Sequence, residues 1–414
     1  MRRPTILLVS YHYLPAATPG SRRLDTLARM LAARGWESII LTATGPPPDG
    51  EDPTGPEVIR TTRRALAGGT GRAAIARPFA ARVPGLRRIA GFPDKYAPWA
   101  VTLAPRLLRL LRSRPIDIVM SSSPPHSTHL AIATARRSRP FRWVAEFRDP
   151  WMFPSRRPPR PVSARVQRRM ERTVLRCADM VVTNTPGNRD ALFAANPGLD
   201  ARRVRVSTNG YDAALFAPGS FPAAPAERAD LTYVGEVYDG MFERIGAALA
   251  SIRARDPLRV PRIAVYGTIN AGERRRITAL GLESFIEDRG FVPHEDSIAA
   301  MKNARALLVL LPPHERWRTC VPSKLYWYLA ARRPILAVVP EGDAAELVRR
   351  TRAGQALVEH DPEEIARRLE RWLADARARP APATAGDGSD RYSMDAIAGE
   401  LDALLREVMD GTPA

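Results

Sequence analysis

Residues Thr5–Ser10 read TILLVS, and this short apolar run begins a pattern that the rest of the chain repeats. A run that is apolar throughout its centre is typical of a strand buried on both faces of a sheet. An amphipathic helix is predicted next, over Ser21 to Arg34, because its leucines recur at helical spacing. Gly35 ends that helix, and Ser38 to Thr42 is predicted as the second strand. The chain therefore opens with a strand–helix–strand unit.

The alternation of strands and helices continues through the first half of the chain. Four more strands are predicted, at Ile116 to Ser121, Trp143 to Phe147, Met180 to Thr183 and Val204 to Ser207. Helices are predicted between them, at about Ser127 to Arg137 and Ala164 to Cys177. Such alternation favours a parallel sheet that is covered by helices on both faces.

A proline- and alanine-rich stretch from Pro218 to Glu227 is interpreted as a linker, and the alternation restarts after it. The second set of strands is predicted at Leu231 to Val234, Arg262 to Tyr266, Ala306 to Leu311 and Ile335 to Val339. The helices of this half are predicted at about Phe242 to Arg253, Asp296 to Asn303, Ser323 to Ala330 and Ala344 to Arg350. A low-complexity segment at 376–390 precedes a last amphipathic helix. We therefore expect an α/β protein with domains at 1–218 and 219–392, followed by a C-terminal helix within 393–414.

Composition and charge limit the cellular compartments and the binding partners that we expect. The 414 residues are 45% hydrophobic and 26% charged, and the two cysteines exclude a disulfide framework. The sequence contains no run of about 18 apolar residues and therefore predicts no membrane span, so we expect a cytoplasmic protein. The net charge of +19 comes almost entirely from arginine, because the chain has only three lysines. This charge indicates an arginine-rich solvated surface or a positive face for anionic lipid, and no nucleic-acid-binding motif accompanies it.

Residues 60–114 fit the alternating pattern poorly, because arginines interleave there with apolar residues. We interpret this stretch either as a pair of surface helices or as an amphipathic region that faces a membrane. The second interpretation would place the protein peripherally on the inner face of the membrane.

The loop after the first strand runs from Tyr11 to Arg23 and lies at a strand's carboxyl end, where open α/β sheets bind ligands. It lacks the G-x-G-x-x-G pattern, which argues against a nicotinamide or flavin enzyme. Gly20 and Ser21 begin the next helix, so their backbone N–H groups could hold an anion or hydroxyls. An ordinary helix cap is the alternative interpretation.

Two further strand ends carry polar clusters. His126 and His129 lie three residues apart on one helical face. We interpret them either as a hydrogen-bonding group that lines a cleft or as a helix cap plus a core histidine. A metal site would need a third ligand, and none is evident. The segment Glu146–Trp151 places three charged groups at one strand end, which is costly unless they are paired or exposed in a cleft. An internal Arg148–Asp149 pair is the alternative there.

In the second half, the segment Thr319–Ala330 leads from a strand into a helix. Pro322 suits the start of that helix, so Ser323 and Lys324 would lie where backbone N–H groups are unpaired. Such a position favours a diphosphate, and the lysine would add a positive charge. Glu341 begins a second helix that could close the same pocket.

Together these motifs resemble the family 4 glycosyltransferases, and more closely those that build bacterial surface polysaccharides or glycoconjugates. The segments that carry the resemblance are Gly20–Arg22, Arg34–Trp36, Ser122–Pro125, Phe147–Trp151, Asn209–Asp212, Tyr233–Gly235, Gly290–His294, Pro322–Ala330 and Arg333–Ala337. The resemblance implies a GT-B fold, in which two Rossmann-like domains with parallel sheets face each other across a cleft. It also implies an N-terminal acceptor domain, a C-terminal donor domain and a last helix that crosses back to the first. Transfer would retain the anomeric configuration and need no metal and no cofactor.

The resemblance and the residue patterns together assign the site. The residues assigned to catalysis are His126, Arg148 and Asp149. The residues assigned to the donor are Gly235, Arg244, Pro322, Ser323, Lys324, Leu325, Trp327 and Glu341. The residues assigned to the acceptor are Gly20, Ser21 and Arg22.

The donor region departs from the family pattern. Trp327 stands where many members have a Glu that binds the ribose hydroxyls, and an indole cannot accept those hydrogen bonds. Glu236 and Met241 stand where many members have cations for phosphate, with Arg244 as a substitute. Trp327 is interpreted as core packing, as a stacking surface for the donor or as a block of the ribose site.

We therefore expect transfer of a sugar from a nucleotide-sugar donor to a sugar or lipid-linked acceptor. Two other functions stay open: a nucleotide-sugar epimerase of GT-B fold and a non-catalytic partner subunit. An anionic membrane surface is a further expected partner, and nucleic acid is not.

Overall fold

The structure is a computed structural model that describes residues 2–16, 18–43, 55–61, 93–152, 161–217, 219–220, 229–378 and 388–411. The chain forms two compact units. Unit 1 contains Met1–Thr208 and Met394–Ala414, and unit 2 contains Asn209–Ser393. Most of the predicted linker at 218–227 and of the segment at 376–390 lies outside the described residues.

Unit 1 is a seven-stranded parallel sheet with helices on both faces. Its strands are β1 Thr5–Ser10, β2 Glu37–Thr42, β3 Glu57–Arg60, β4 Ile118–Ser123, β5 Arg142–Phe147, β6 Met180–Thr183 and β7 Val204–Val206. Its first five helices are α1 Pro19–Ala33, α2 Ala97–Ser113, α3 Ser127–Ser138, α4 Pro161–Cys177 and α5 Pro186–Ala195. The strand order is β3-β2-β1-β4-β5-β6-β7, and every pair is parallel.

The apolar run of β1 is buried on both faces of this sheet. Leu7 and Val9 pack with α2, α3 and α4, whereas Ile6 and Leu8 pack with α1 on the opposite face. Since successive strand residues point to opposite faces, two helical layers require a strand that is apolar throughout. The apolar centre of TILLVS is therefore explained by the helices that pack on both faces of the sheet.

Unit 2 repeats this arrangement with six parallel strands in the order β10-β9-β8-β11-β12-β13. Its strands are β8 Leu231–Val234, β9 Ile263–Tyr266, β10 Ile286–Gly290, β11 Leu307–Leu310, β12 Ile335–Val338 and β13 Gly354–Leu357. Its helices are α6 Glu243–Arg255, α7 Ala271–Ala279, α8 His294–Asn303, α9 Ser323–Ala331, α10 Asp343–Arg350 and α11 Pro362–Ala378. The last helix of the chain, α12 Met394–Asp410, packs against α1 in unit 1.

The predicted α/β class is confirmed, and each predicted strand and helix has a counterpart in the structure. The interpretation of residues 60–114 as surface helices is wrong for its last part, because α2 buries Trp99, Leu103, Leu107 and Leu111 in the core. Residues 62–92 of that stretch lie outside the described residues. Among the residues that are described, no helix is long and apolar enough to cross a membrane.

Candidate active site

In unit 1 the loops after β1, β4 and β5 leave the same edge of the sheet. The strand order reverses between β1 and β4. The chain adds β2 and β3 on one side of β1 and then adds β4 to β7 on the other side. Open α/β sheets bind ligands at the carboxyl ends of their strands at such a reversal. The sequence-predicted residues Gly20, His126, Arg148 and Asp149 follow these three strands.

A buried ion pair joins α1 to β5 at this edge. Arg23 Nη1 donates to Glu146 Oε1 at 2.6 Å, and the two side chains are only 7% and 1% exposed. The second carboxylate oxygen of Glu146 accepts from Ser122 Oγ at 2.5 Å. Arg23 also reaches Ser207 Oγ and the Thr208 carbonyl, each at 3.4 Å. The charge of Glu146 is therefore balanced inside the protein, and neither member of the pair was predicted from the sequence as a site residue.

Arg148 lies against the start of α1. Its Nε donates to the Ser123 carbonyl at 3.2 Å. A Cβ on Gly20 would stand 1.7 Å from Arg148 Nη1, so the guanidinium occupies the space that a larger side chain would fill. Burial lowers the pKa of Arg148, while the nearby Glu146 carboxylate opposes that shift. The structure thus brings together Gly20 and Arg148, two residues that sequence reasoning assigned to one site.

The N-terminus of α1 is already capped. Thr18 Oγ1 accepts from the Ser21 backbone N–H at 3.1 Å and lies 2.7 Å from the Ser21 hydroxyl. Ser21 is fully buried. The sequence analysis expected the Ser21 N–H to be free for a ligand, but Thr18 already accepts its hydrogen bond. The helix-cap interpretation therefore describes Ser21 better. Arg22 is partly exposed beside it.

The two histidines of α3 have different surroundings. His129 is fully buried, and its Nδ1 lies 2.8 Å from Ser121 Oγ, so it is a core histidine. His126 immediately precedes the helix and stacks on Trp151, with ring centroids 4.8 Å apart. Burial lowers the pKa of His126 to about 4, against the opposing charge of Asp94. Both rings are therefore neutral near pH 7, and His126 can exchange hydrogen bonds but carries no charge there.

Two residues at this edge were not singled out by sequence reasoning. Asp94 accepts from the Ser127 N–H and the Ser127 hydroxyl, both at 2.9 Å, and so caps α3 from a distant part of the chain. Burial and the charges of Arg148 and Lys95 lower the pKa of His12, which places that histidine beside Arg148. His12 lies in the loop that the sequence analysis did select, whereas no local signal marked Asp94.

In unit 2 the strand order reverses between β8 and β11, and the loops after these strands carry Gly235 and Lys324. Gly235 has φ +117°, a conformation that favours glycine. A Cβ at Gly235 would lie 2.8 Å from Lys324 Nζ. Two of the residues that were assigned to the donor are thus in contact.

The Lys324 amine has a phenol rather than a carboxylate as its partner. Nζ donates to Tyr233 Oη at 2.5 Å and lies 3.8 Å from the centroid of the Tyr233 ring. The phenol in turn donates to the Glu236 carbonyl at 2.8 Å. No ion pair of Lys324 occurs among the described residues. Burial lowers the pKa of Lys324 to about 7, opposed by the charge of Glu236, so an anion bound there would favour its charged form.

The other residues at the start of α9 differ in what they can offer a ligand. Pro322 immediately precedes the helix, and Ser323 is its first residue. Both are partly exposed, whereas the Leu325 side chain is fully buried in the core. Only the backbone of Leu325 could therefore contact a donor.

Two residues that were assigned to the donor have partners elsewhere. Arg244 is 5% exposed, and its Nη1 donates to the carbonyls of Val358 and Glu359 at 3.1 and 3.0 Å. Glu341 accepts two hydrogen bonds from Arg349, at 2.6 and 2.8 Å. The hydrogen-bond partners of both side chains lie away from Lys324, so neither side chain joins Lys324 as the sequence predicted.

Trp327 packs in an aromatic cluster. Its ring meets the rings of Phe216 and His294 edge to face, with centroids 6.1 and 5.0 Å apart. The side chain is partly buried against the unit 2 core. These contacts support the packing interpretation of Trp327.

Residues 20–215 match the model of Glycosyltransferase Family 4. This match confirms the resemblance to the family 4 glycosyltransferases over just under half of the chain. No curated protein sequence matches the chain.

Solved structures share the fold over the whole length of the chain. Sucrose-phosphate synthase from Thermosynechococcus elongatus is 17% identical and has a TM-score of 0.71, with 99% of this chain and 100% of that chain covered. Anabaena Alr3699/HepE in complex with UDP and glucose is 16% identical, with a TM-score of 0.63 and 97% and 99% covered. WaaG, a glycosyltransferase involved in lipopolysaccharide biosynthesis, is 15% identical, with a TM-score of 0.61 and 97% and 99% covered. These likenesses confirm the predicted GT-B fold.

Within unit 1, Asp149 directly follows Arg148 and is exposed. Partial desolvation raises the pKa of its carboxyl, and the charge of Arg148 opposes that shift. The carboxylate lies at the same strand end as the neutral His126 and the half-buried Arg148. The groups described by the structure include no cluster of three or more His, Cys, Asp or Glu side chains that could hold a metal ion.

Proposed function

We propose that this protein transfers a sugar from a nucleotide-sugar donor to a hydroxyl acceptor with retention of configuration, in the synthesis of a surface polysaccharide or glycoconjugate. The observation that carries the proposal is the Lys324 amine, which lies at a strand-end reversal without a carboxylate partner among the described residues. A diphosphate supplies the negative charge that this amine lacks, and the start of α9 adds the positive end of a helix dipole.

The proposed chemistry divides between the units. Lys324 stabilises the charge that develops on the departing diphosphate, which is the largest electrostatic change in the reaction. On the unit 1 side, the exposed Asp149 carboxylate accepts a hydrogen bond from the acceptor hydroxyl, and Arg148 and the neutral His126 orient the sugars. Gly20 and Arg22 line the acceptor position. That both sites face a common cleft stays a prediction of the family resemblance.

A calorimetric titration with UDP, GDP and ADP tests the donor site. Lys324→Ala should weaken binding of the preferred nucleotide by roughly 10- to 150-fold, as expected for one charge-assisted contact. Lys302→Ala is the matched control, because Lys302 donates only to Ala217 and Ser220 in a different region of unit 2. Equal affinities for the parent and Lys324→Ala would contradict the assignment.

The same protein preparation distinguishes sugar transfer from the two alternative functions, an epimerase and a non-catalytic partner subunit. Incubation of the nucleotide sugar without acceptor should leave the sugar unchanged, whereas an epimerase would convert it. A protein that binds no nucleotide would be a non-catalytic partner. The anomeric configuration of the product, measured by proton NMR, tests retention.

We also propose that unit 1 binds anionic membranes peripherally. Val101 on α2 is 77% exposed and Val162 on α4 is 71% exposed, and both helices flank α3 on one face of the sheet. Exposed arginines accompany these valines on the two helices: Arg109, Arg112, Arg165, Arg168, Arg169, Arg172 and Arg176. Apolar side chains among cations are the features that bind an anionic interface.

Vesicle co-sedimentation tests this surface. The protein should bind vesicles that contain anionic lipid and dissociate as the salt concentration rises. Val162→Ser should reduce binding, whereas Leu258→Ser should not, since Leu258 is a more exposed apolar residue but lies in unit 2, outside the proposed surface. Equal loss in both variants, or equal binding to neutral vesicles, would contradict the proposal.

A further inference from the structure

The loop that leads from β11 to α9 contains a guanidinium without a partner of opposite charge. Arg316 is half-buried, and its side chain forms neither an ion pair nor a hydrogen bond with any of the described residues. Its Nε is buried, whereas its two terminal nitrogens are accessible. Arginine stays charged at all pH values at which proteins fold, and a partly desolvated charge without a counter-ion costs free energy. The outer N–H groups of Arg316 are therefore available to an anion.

Aromatic packing places this guanidinium beside the loop after β8. The Arg316 guanidinium lies 4.8 Å from the centroid of the Trp317 ring, and that ring lies 5.6 Å from the ring of Tyr238. Tyr238 belongs to the loop after β8, shortly beyond Gly235. Burial raises the pKa of Tyr238, and the charge of Arg316 opposes that shift, which agrees with a short separation. Stacking on an aromatic face also limits the orientations of the guanidinium.

Lys324 contacts the same loop at its beginning. A Cβ on Gly235 would lie 2.8 Å from Lys324 Nζ, whereas Arg316 approaches the middle of the loop through the Trp317 ring. Both cations come from the segment between β11 and the first turn of α9. They therefore lie along one loop at the point where the strand order of unit 2 reverses.

The charge balance at this edge favours a second cation for a diphosphate. Burial lowers the pKa of Lys324 to about 7, so that near pH 7 only about half of the amines are charged without a ligand. The exposed Glu236 in the same loop adds a carboxylate that nearly cancels this charge. Arg244 does not supply the missing cation, because its guanidinium donates to backbone carbonyls after β13. With Arg316, the positive charge exceeds the negative charge.

We propose that Arg316 binds the diphosphate of the nucleotide sugar together with Lys324. The inference rests on the proposed function, because it assumes that unit 2 holds the donor. It adds a donor-binding residue that no motif marked. The phosphate cation that many family 4 members have in the loop after β8 comes, in this chain, from the loop after β11. A guanidinium fork can donate to two phosphate oxygens at once, which gives the diphosphate a defined orientation.

Calorimetric titrations test the assignment with the nucleoside diphosphate that the parent binds among UDP, GDP and ADP. Arg316→Gln should weaken binding by roughly tenfold or more, because a charge-assisted contact is lost. Arg316→Lys should keep part of the affinity, since it retains the charge without the fork. Arg318→Gln is the matched control in the same loop. The Arg318 guanidinium is exposed and lies 3.3 Å from the Glu315 carboxylate, so its loss should leave the affinity unchanged.

A pH series and a melting curve distinguish a phosphate contact from a packing role. Between pH 7.5 and 9 the affinity of Arg316→Gln should fall nearly in parallel with that of the parent, because Lys324 remains to titrate. The Tm without nucleotide should stay that of the parent. An unchanged affinity in Arg316→Gln, with or without a lower Tm, would overturn the role of Arg316 alone, and so would an equal loss in Arg318→Gln. A parent that binds none of the three nucleotides would overturn the proposed function and this inference with it.

Discussion

At the strand ends of unit 1, the buried carboxylate Glu146 has an arginine partner at 2.6 Å, whereas at those of unit 2 the Lys324 amine has only a phenol. The Arg23–Glu146 pair leaves neither of its charges for a ligand to neutralise, and the adjacent Arg148 and Asp149 have opposite charges, which suits a neutral substrate such as a sugar. An amine without a carboxylate partner suits an anion. The two sheets have the same architecture, so the difference in charge balance rather than in fold separates the proposed acceptor side from the proposed donor side.

Breaking the Arg23–Glu146 pair should produce the largest effect on stability. Arg23→Met leaves Glu146 buried without its counter-ion, at a cost of about 3–5 kcal/mol in the free energy of unfolding. Urea denaturation measures it. Arg29→Ala, which removes a largely exposed partner of Asp25 on the same helix, should cost about 1 kcal/mol or less. The double variant Arg23→Met/Glu146→Gln should recover much of the loss, and a failure to recover would show that the pair is not the source of the cost.

Unit 1 should lose stability in weak acid because of its histidines. The folded pKa of His126 is about 4, below its ordinary value of 6.5, so the unfolded chain binds protons more readily between these values. Stability is therefore fully present above pH 6.5 and falls by roughly 3 kcal/mol as the pH drops to 4. Urea titrations at pH 7, 5.5 and 4.5 measure the fall. His126→Phe should reduce the fall and leave the part that the buried His129 contributes, whereas the exposed His360→Asn should not change it. Parallel profiles for the parent and His126→Phe would contradict this cause.

Gly20→Ala should have a small effect on stability and a larger one on turnover. Alanine improves helix propensity by about 0.5–1 kcal/mol, but here its Cβ would displace the Arg148 guanidinium. We expect a Tm close to that of the parent and roughly tenfold or greater loss of transfer, since small misplacements at a site are costly. Gly399→Ala on α12 is the control, because its Cβ would meet only ordinary contacts, the nearest at 3.8 Å. Unchanged transfer by Gly20→Ala would remove Arg148 from the site.

The sequence allowed the fold to be predicted because buried parallel strands leave a strong local signal. The central residues of β1 are apolar, and each of the strands β4, β5, β8, β11 and β12 also contains a run of apolar residues. The edge strand β10 reads IEDRG and is largely exposed, so its sequence has no apolar pattern to detect. The helix α2 was misinterpreted because its proline and arginines obscured a buried stripe of leucines.

Sequence reasoning anticipated which candidate residues lie together only where a motif lies beside its strand end. The contact of Gly235 with Lys324 followed from the strand–loop–helix pattern, and so did the position of Arg148. Arg244 was expected at the phosphates by its place in the chain, but its side chain turns towards the end of β13. Side-chain direction depends on tertiary packing, which local patterns do not specify.

The pH dependence of nucleotide binding tests the central contrast most directly. If a diphosphate binds Lys324, it raises the pKa of that amine above its free value of about 7, so that binding takes up a proton above pH 7. Calorimetry with UDP, or whichever nucleoside diphosphate binds, at pH 8 in buffers of different ionisation enthalpy should give an uptake close to one proton. The affinity should fall about tenfold per pH unit above 7. Lys324→Ala should abolish both effects. A parent that binds the nucleotide with the same affinity and the same proton uptake as Lys324→Ala would contradict the assignment of the anion site to Lys324.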